Sequence, residues 1–286
     1  MAPQQTIETA PGLCFDALVA GGDDAPLVLL LHGFCSSLHT WRVQVPALAA
    51  AGYRAIAPSQ RGYSPGARPD PADLTNYHFD RLVADALAIA AACGHAERPF
   101  HLVGHDWGAS VAWGVADQYR DRVASLTVLS RPHPNSFNRA LQMADGDQAH
   151  RSRHHTAFLE PDAGPLLLAD DARRLRERWA RSGVPAAVVE EHLSVLGNEP
   201  AMEAALAWYR ARGAIRAPLG VVPAPVLYLW GDADDTVGRA AAEGTGEFVS
   251  GPYRFETLAG VGHFVADQAP DRVNELLLAH LAAYPG

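Results

Sequence analysis

The chain has 286 residues, of which 48% are hydrophobic and 19% are charged. This size and composition are typical of a globular protein with one large α/β domain or two small ones. The net charge is -9, and no run of basic residues alternates with aromatic ones, so we do not expect a nucleic acid as a partner.

The N-terminal stretch MAPQQTIETAPGLCF lacks both the positive residues and the continuous apolar run of a signal peptide. Nowhere do about 18 uncharged apolar residues run together, so we expect no membrane-spanning helix. Cys14, Cys35 and Cys93 are odd in number and far apart, which favours reduced thiols over a disulfide framework, and none has metal-ligand spacing. We therefore expect a soluble, cytoplasmic protein.

Short apolar runs recur along the chain and are typical of strands buried on both faces of a parallel sheet. Before the first run, DALVAGGDDAP (16–26) predicts an N-terminal strand and a Gly-Asp turn within an antiparallel hairpin. Segments with helical spacing at 79–94 and 108–120 lie between the runs, and this alternation predicts an α/β fold with a doubly wound, mostly parallel sheet flanked by helices. The runs are PLVLLLHGF (26–34), YRAIAP (53–58), PFHLVGH (99–105), RVASLTVLS (122–130), APVLYLWG (224–231) and PYRFETLAG (252–260).

The alternation stops from Pro132 to about Val222. Ligand sites of parallel sheets lie beyond the carboxyl ends of the strands, so an insertion after LTVLS would cover the site. We predict a first core part at 1–131, an all-helical cap at 132–222 and a second core part at 223–286. The helix-like segments of the cap are 147–159, 170–182, 185–196 and 199–212.

The segment Gly104-His105-Asp106-Trp107-Gly108 joins an apolar strand to a helix. Its two glycines flank Asp106 in the manner of a nucleophile elbow, a strained turn on which neighbouring Cβ atoms would clash. A plainer interpretation is that Asp106 caps the helix, because aspartate is a favoured N-cap residue.

Two further segments favour a catalytic role for Asp106. HGF (32–34) ends an early strand, where the N–H of Phe34 would join that of Trp107 in an oxyanion hole. GVGHF (260–264) places His263 in a glycine-rich loop after the last strand, which gives the chain order nucleophile, acid, histidine.

The acid is expected in LWGDADD, just past a strand. Asp232, Asp234 and Asp235 are the candidates, and any of them could instead be a solvated turn residue.

With these motifs, the chain resembles the α/β-hydrolase superfamily over nearly its whole length. Within it, the chain resembles the epoxide hydrolases and the related haloalkane dehalogenases, whose elbow carries aspartate. RGYSPG (61–66) and RPHP (131–134) also resemble epoxide-hydrolase segments. The resemblance implies an acid at the end of a G-x-x-D turn, which selects Asp234. Some relatives place the acid after the preceding strand, but this chain has Ser130 there.

A carboxylate nucleophile is suited to displacement at an sp³ carbon, and the product is an alkyl ester of Asp106. Water can then attack the ester carbonyl, with His263 as general base and Asp234 fixing the tautomer of that histidine. The resemblance therefore implies epoxide opening to a vicinal diol or carbon–halogen cleavage, without cofactor or metal. The expected partners are an apolar epoxide and water, and a homodimer is an open hypothesis.

Epoxide opening requires a donor to the ring oxygen, and epoxide hydrolases usually provide two cap tyrosines. Tyr209 in ALAWYRARG (205–213) matches one of them, and His154 stands at the position that resembles the other. Histidine can also donate a hydrogen bond. Tyr209 could instead only pack under the cap, and His154 with His150 and His155 could be polar surface. A metal site is disfavoured, because adjacent histidines on a helix point in different directions.

Two other functions compete with epoxide hydrolysis. A dehalogenase would use Trp107 as one halide donor, with Trp208 or Trp179 as a substitute for the asparagine that many relatives have where this chain has Phe34. Fluoroacetate dehalogenases carry arginines after the nucleophile, whereas this chain has Trp107 and Ser110, so small haloacids are not expected. The other alternative is a ligand-binding protein that kept the fold and lost turnover.

Two residues depart from the family pattern. Cys35 stands where the family has a proline after HGF, and Ser59 where it has an aspartate before RGY. We expect these two differences to alter the oxyanion loop or the residues that support the site. A basic cluster in the cap is interpreted as a solvated helix face that complements the helix dipole, with an anion site as the alternative. The cluster consists of Arg173, Arg174, Arg176, Arg178 and Arg181.

Overall fold

The computed structural model describes residues 2–213 and 219–285, and a sheet of eight strands runs through its centre. The strand order across the sheet is β1-β2-β4-β3-β5-β6-β7-β8, and the pairings from β4 to β8 are all parallel. The six predicted apolar runs form β3 to β8, which confirms the mostly parallel α/β sheet. The strands are β1 Gln4–Ala10, β2 Leu13–Ala20, β3 Leu27–Leu31, β4 Arg54–Pro58, β5 Phe100–His105, β6 Val123–Leu129, β7 Val226–Gly231 and β8 Tyr253–Leu258.

The N-terminal hairpin differs from the prediction. It is formed by β1 and β2 with its turn at Gly12, whose φ is 77°, and β2 then pairs antiparallel with β4. Strand β1 was not predicted, because QQTIETA is mostly exposed at the sheet edge and carries few apolar residues. The predicted Gly-Asp turn at 21–23 lies outside the hairpin and connects β2 to the central strand β3.

Helices cover both faces of the sheet, and each face has its own hydrophobic cluster. Helix α3 follows β5 directly, and every residue from Gly108 to Ala116 is buried, as expected for a helix packed on all sides. The helices are α1 Gln44–Ala50, α2 Phe79–Ala90, α3 Trp107–Gln118, α4 Pro134–Leu141, α5 Gln148–Arg151, α6 His154–Ala157, α7 Ala163–Arg181, α8 Ala186–Leu196, α9 Glu199–Arg210, α10 Arg239–Glu243, α11 Val265–Gln268 and α12 Pro270–Ala283.

Helices α4 to α9 lie between β6 and β7, where the sequence predicts the cap. Helices α8 and α9 agree with two predicted cap helices. The predicted helix at 147–159 is instead the two short helices α5 and α6. Trp179, Trp208 and Tyr209 belong to the same hydrophobic cluster as the core residue Phe34. Helices α7 and α9 therefore share one hydrophobic core with residues of the sheet domain. The boundaries of the cap stay a prediction.

Helix α7 contains a backbone break in place of a plain helix start. Asp170, Asp171 and Ala172 have φ values of 52°, 56° and 54°, in the left-handed region that aspartate tolerates better than most residues. The regular helix resumes at Arg173, close to the predicted start of this cap helix. Within the described ranges, no helix is both long and apolar enough to cross a membrane.

Candidate active site

Asp106 lies on a sharp turn between β5 and α3. Its φ and ψ are 51° and -117°, and its side chain makes no capping hydrogen bond to α3. Instead, Oδ1 accepts a hydrogen bond of 3.0 Å from the N–H of Phe34, at the end of the neighbouring strand β3. The side chain is therefore directed away from the helix, in the manner of a nucleophile elbow rather than a helix cap.

Three glycines make room for this turn. A Cβ on Gly104 would lie 2.6 Å from the backbone of Ala109, and one on Gly108 would lie 2.1 Å from the carbonyl oxygen of Leu31. A Cβ on Gly33 would lie 2.4 Å from the Cβ of Asp106 itself. The two glycines of the elbow motif are thus sterically required, and Gly33 is a third one that the motif did not single out.

The structure brings Asp106, His263 and Asp234 together in a buried row. The Nε2 atom of His263 is 3.7 Å from Oδ2 of Asp106, and its Nδ1 atom is 3.3 Å from Oδ2 of Asp234. Oδ1 of Asp234 accepts hydrogen bonds of 2.7 Å from the N–H of Thr236 and 3.0 Å from that of Val237. These backbone donors fix the carboxylate that faces His263.

The other two acid candidates lie elsewhere. Asp232 accepts a hydrogen bond of 2.7 Å from the N–H of Gly260, and Asp235 forms an exposed ion pair of 3.2 Å with Arg178. Among the three aspartates of this turn, only Asp234 is buried against His263.

Ser130 is a residue of the site that sequence reasoning missed. Its Oγ donates a hydrogen bond of 2.6 Å to Oδ2 of Asp234 and lies 2.9 Å from Nδ1 of His263. The hydroxyl proton of Ser130 is used in the bond to Asp234. The contact between Ser130 Oγ and Nδ1 of His263 therefore needs a proton on Nδ1, which donates to the serine oxygen. Nε2 is then left unprotonated, facing Asp106, in neutral His263. Ser130 follows β6, with a φ of 64°.

The charges of the site act on each other strongly. Burial by itself would raise the pKa of Asp106, but the charges of His263, His105 and Arg131, together with the N–H of Phe34, outweigh it, so the pKa lies below its ordinary value. Burial likewise lowers the pKa of His263, but the charges of Asp234 and Asp106 outweigh that effect and raise it. Asp106 is therefore ionised and available as a nucleophile at neutral pH.

Tyr209 reaches the site from helix α9. Its ring centroid is 5.2 Å from those of both Phe34 and Trp107. Burial, followed by the charge of Asp106, raises the pKa of Tyr209 well above its ordinary value. The hydroxyl consequently keeps its proton and can serve as a donor.

The adjacent histidines of helix α6 are held in different tautomers. Nδ1 of His154 is 3.0 Å from the carbonyl oxygen of Arg151, so it carries the proton and leaves Nε2 as an acceptor. Nδ1 of His155 accepts from the guanidinium of Arg212 at 2.7 Å, so the proton of neutral His155 is on Nε2. Burial lowers the pKa of His154 to about 4, so it is neutral at pH 7.

A cavity of about 200 Å³ lies over Asp106 and His263. Its wall combines apolar side chains with three arginines of α7 that the sequence analysis placed on a solvated face. No group of three or more His, Cys, Asp or Glu residues within 2–213 and 219–285 is arranged to hold a metal ion. The cavity is lined by Phe34, Cys35, Asp106, His154, Phe158, Leu167, Arg174, Leu175, Arg178, Arg181, Tyr209, Thr236 and His263.

The two cap tryptophans considered as the second halide donor are not available for that role. The indole N–H of Trp208 donates a hydrogen bond of 3.0 Å to the carbonyl oxygen of Arg61. Trp179 is fully buried, stacks on His192 at 5.7 Å and is not among the residues that line the cavity. Trp107 packs edge-to-face against Tyr209 at 5.2 Å and remains the single candidate among the three. The second donor of a halide site is thus missing from these positions.

The departure at Cys35 has a structural counterpart. Cys35 has a φ of 61°, which the ring of proline cannot adopt, so this loop differs locally from one with proline at that position. The N–H of Phe34 nonetheless reaches Asp106. Burial raises the pKa of the Cys35 thiol to about 12, so the thiol is not a competing nucleophile. Ser59 is buried, and its carbonyl oxygen accepts a hydrogen bond of 2.7 Å from the hydroxyl of Ser64.

Comparison with known proteins agrees with this architecture. A model of the family described as alpha/beta hydrolase fold matches residues 26–270. The chain is 32% identical to epoxide hydrolase A of Mycobacterium tuberculosis over 98% of both chains. It is similar to the crystal structure of epoxide hydrolase A from Mycobacterium thermoresistibile, with a TM-score of 0.83 and 29% identity over 99% of this chain and 98% of that chain. For the Bacillus megaterium epoxide hydrolase in complex with an inhibitor, the TM-score is 0.86 and the identity 26%, over 97% of this chain and 100% of that chain. The chain therefore belongs to the α/β-hydrolase fold family and, within it, groups with the epoxide hydrolases.

Proposed function

We propose that this protein is an epoxide hydrolase that opens an epoxide to a vicinal diol through an ester of Asp106. The observation that carries the proposal is the position of Asp106. It is an ionised carboxylate on a strained elbow, with the N–H of Phe34 on one oxygen and Nε2 of His263 3.7 Å from the other. The similarity to the epoxide hydrolases supports the same reaction.

In the first step, Oδ2 of Asp106 attacks an epoxide carbon while the C–O bond of the ring breaks. The ring oxygen takes the electron pair and is stabilised by a hydrogen bond from the hydroxyl of Tyr209. The ring of this tyrosine packs on that of Trp107, the residue after the nucleophile. Oδ1 stays on the N–H of Phe34 and becomes the carbonyl oxygen of the ester. A carboxylate suits this step, because the electrophile is a strained sp³ carbon rather than a carbonyl.

In the second step, Nε2 of His263 removes a proton from water, and the water oxygen attacks the carbonyl carbon of the ester. Negative charge develops on Oδ1, where the N–H of Phe34 and that of Trp107 at the start of α3 act as an oxyanion hole. The bond from this carbon to Oδ2 breaks, and that oxygen leaves in the diol with the proton that His263 took from the water. The second proton of the water, now on the new carboxyl group, passes to the other diol oxygen, so Asp106 is restored as a carboxylate. Asp234 and Ser130 hold the imidazolium that forms.

For the second donor to the epoxide oxygen, the contacts favour His155 over the predicted His154. Neutral His154 presents an acceptor at Nε2, whereas neutral His155 presents a donor. The ring of His155 is not among the cavity-lining residues, but it lies 5.6 Å from the ring of Tyr209, and this proximity supports the proposal. His154 lines the cavity, and we assign it a packing and polar-wall role.

The dehalogenase alternative is weaker, because Trp208 and Trp179 are engaged or buried elsewhere. A ligand-binding protein without turnover would not require the ordered contacts of His263. The proposal keeps the expected cytoplasmic location, which the free thiols of Cys14, Cys35 and Cys93 support. A homodimer stays a prediction.

The test is to trap the intermediate. The variant His263→Gln is incubated with styrene oxide, and the mass of the peptide that contains Asp106 is measured. We expect this peptide to gain the mass of the epoxide, because alkylation proceeds while hydrolysis stops. The double variant His263→Gln/Asp106→Ala should gain nothing. An unmodified Asp106 peptide in a folded His263→Gln variant, with diol formed by the wild type, would overturn the two-step mechanism.

A further inference from the structure

Helix α7 carries arginines on two faces with different surroundings. Arg173 pairs with Asp170 at 3.1 Å, and Arg176 pairs with Asp171 at 3.1 Å. The arginines on the other face follow at positions i, i+4 and i+7, which places them on one side of a helix. These three, Arg174, Arg178 and Arg181, line the same cavity as Asp106 and His263.

The charges of this second face are mostly unpaired. Arg178 pairs with Asp235 at 3.2 Å and donates to the hydroxyl of Thr236 at 3.0 Å. Arg174 and Arg181 have no carboxylate partner within the part of the chain that the structure describes. Asp106 is the sole carboxylate among the lining residues so described. A protein with a net charge of -9 thus concentrates uncompensated positive charge on the wall of its active-site cavity.

The remaining wall of the cavity shows how a substrate would fit between Asp106 and the arginines of α7. Phe34, Phe158, Leu167 and Leu175 supply apolar surface in the same cavity, which suits a hydrocarbon segment. Arg174 and Arg181 are about 10 Å apart along the helix axis, given a rise of about 1.5 Å per residue. Arg178 is engaged by Asp235 and Thr236, so an anionic group would contact Arg174 or Arg181, in the forked geometry that guanidinium groups offer to carboxylates.

We infer that the natural substrate is an epoxide that carries an anionic group, a carboxylate in the simplest case, at the end remote from the ring. This inference rests on the proposed epoxide hydrolysis. The arginines attract the anion and hold it away from the negative charge of Asp106, while the apolar segment directs the ring to the nucleophile. Because Arg174 and Arg181 are exposed, the attraction is screened by salt.

The test compares two substrates that differ only in charge. They are epoxyhexanoate and epoxyhexanamide, each with the epoxide at the end opposite the carbonyl group. We measure kcat/KM for diol formation and take the ratio of acid to amide. We expect a ratio of roughly ten or more at low ionic strength, falling several-fold when the salt concentration is raised to about 1 M. In the double variant Arg174→Gln/Arg181→Gln, the ratio should fall to near one.

Two further variants control for charge and folding. Arg173→Gln removes an arginine of the opposite face and should keep the ratio of the wild type, because Arg173 does not line the cavity. The double variant Arg174→Lys/Arg181→Lys keeps both charges and should retain part of the preference for the acid.

The outcomes separate this inference from the proposed function. Diol from both substrates with a ratio of one or less, or a ratio that the double glutamine variant leaves unchanged, overturns the anionic substrate and leaves epoxide hydrolysis standing. If neither substrate nor styrene oxide yields diol, the proposed function fails, and the inference fails with it.

Discussion

The floor and the roof of the cavity are built in different ways. The floor consists of Asp106, His263 and Asp234, and its two carboxylates are fixed by backbone N–H groups at the ends of strands. The roof consists of Tyr209, the histidine pair of α6 and the cavity-facing arginines of α7. Tyr209 contacts the ring of Trp107, and the two histidines contact the side chain of Arg212 and the carbonyl oxygen of Arg151. Two of the arginines are exposed.

This difference separates two tasks. Backbone donors in buried loops that leave a packed sheet are hard to displace, so the floor holds the reacting atoms in one geometry, as a covalent mechanism requires. The roof can change side chains without disturbing the sheet, so it can select the leaving group and the substrate. Variants of the floor should therefore damage the reaction for every substrate, and variants of the roof should change which substrates are used.

The largest effect is expected when the floor is deformed without removing a reacting group. In Gly33→Ala the new Cβ would meet the Cβ of Asp106 at 2.4 Å, so Asp106 and the N–H of Phe34 must separate. We expect ester formation to slow by roughly a thousandfold, since both the nucleophile and an oxyanion donor are displaced. Single-turnover kinetics measure this rate. Gly22→Ala, where nothing lies within 4 Å, is the control, and equal rates in both variants would contradict the account.

The next largest effect concerns the donor of the roof. Tyr209→Phe should slow alkylation of Asp106 by an epoxide roughly a hundredfold, because an alkoxide without a hydrogen-bond donor is a poor leaving group. Halide release from a bromoalkane, if it occurs, should fall much less, since bromide needs no proton. Tyr77→Phe removes a buried hydroxyl that donates to the carbonyl oxygen of Pro69 and should leave both rates unchanged. Unchanged epoxide opening in Tyr209→Phe would remove this tyrosine from the mechanism.

The histidines of α6 give a matched pair of roof variants. We expect His155→Phe to slow epoxide alkylation about tenfold, through loss of one donor to a charged oxygen. His154→Phe should slow it less, because the contacts of His154 leave Nε2 as an acceptor. The reverse order of effects would return the second donor to His154.

A smaller effect is expected behind the triad. Ser130→Ala removes the hydroxyl between Asp234 and His263, so the imidazole loses one of two restraints at Nδ1. Hydrolysis of the ester should slow about fivefold, the worth of one hydrogen bond, while its formation is unaffected. Stopped-flow measurement of both steps checks this split. Ser136→Ala removes a buried serine that donates to the carbonyl oxygen of Ala241 and is the control. Slower ester formation in Ser130→Ala would show instead that the serine supports the nucleophile.

Much of the floor could be predicted from the sequence, because local pattern and chemistry coincide there. Apolar runs gave the parallel strands, and the glycines around Asp106 reflect steric conflicts within a few residues of the turn. Ser130 was missed as a contact, since its partners lie 104 and 133 residues away in the chain and no spacing rule connects them.

The roof was harder to predict, because the role of each residue depends on whether its side chain faces the cavity or the solvent. His154 and His155 are neighbours of the same type, and only the carbonyl of Arg151 and the guanidinium of Arg212 distinguish them. The arginines of α7 formed one basic cluster in the sequence. Their separation into a paired face and a cavity face follows from the phase of the helix after the break at 169–172.

The central claim is that Asp106 forms a covalent ester, and oxygen labelling in a single turnover tests it most directly. The wild-type enzyme, in excess over styrene oxide, reacts once in water that carries the heavy isotope of oxygen. Because water attacks the carbonyl carbon of the ester, we expect the label in the carboxylate of Asp106, seen in the mass of its peptide, and an unlabelled diol. Labelled diol with an unlabelled Asp106 peptide would show that water attacks the epoxide directly, and would contradict the account.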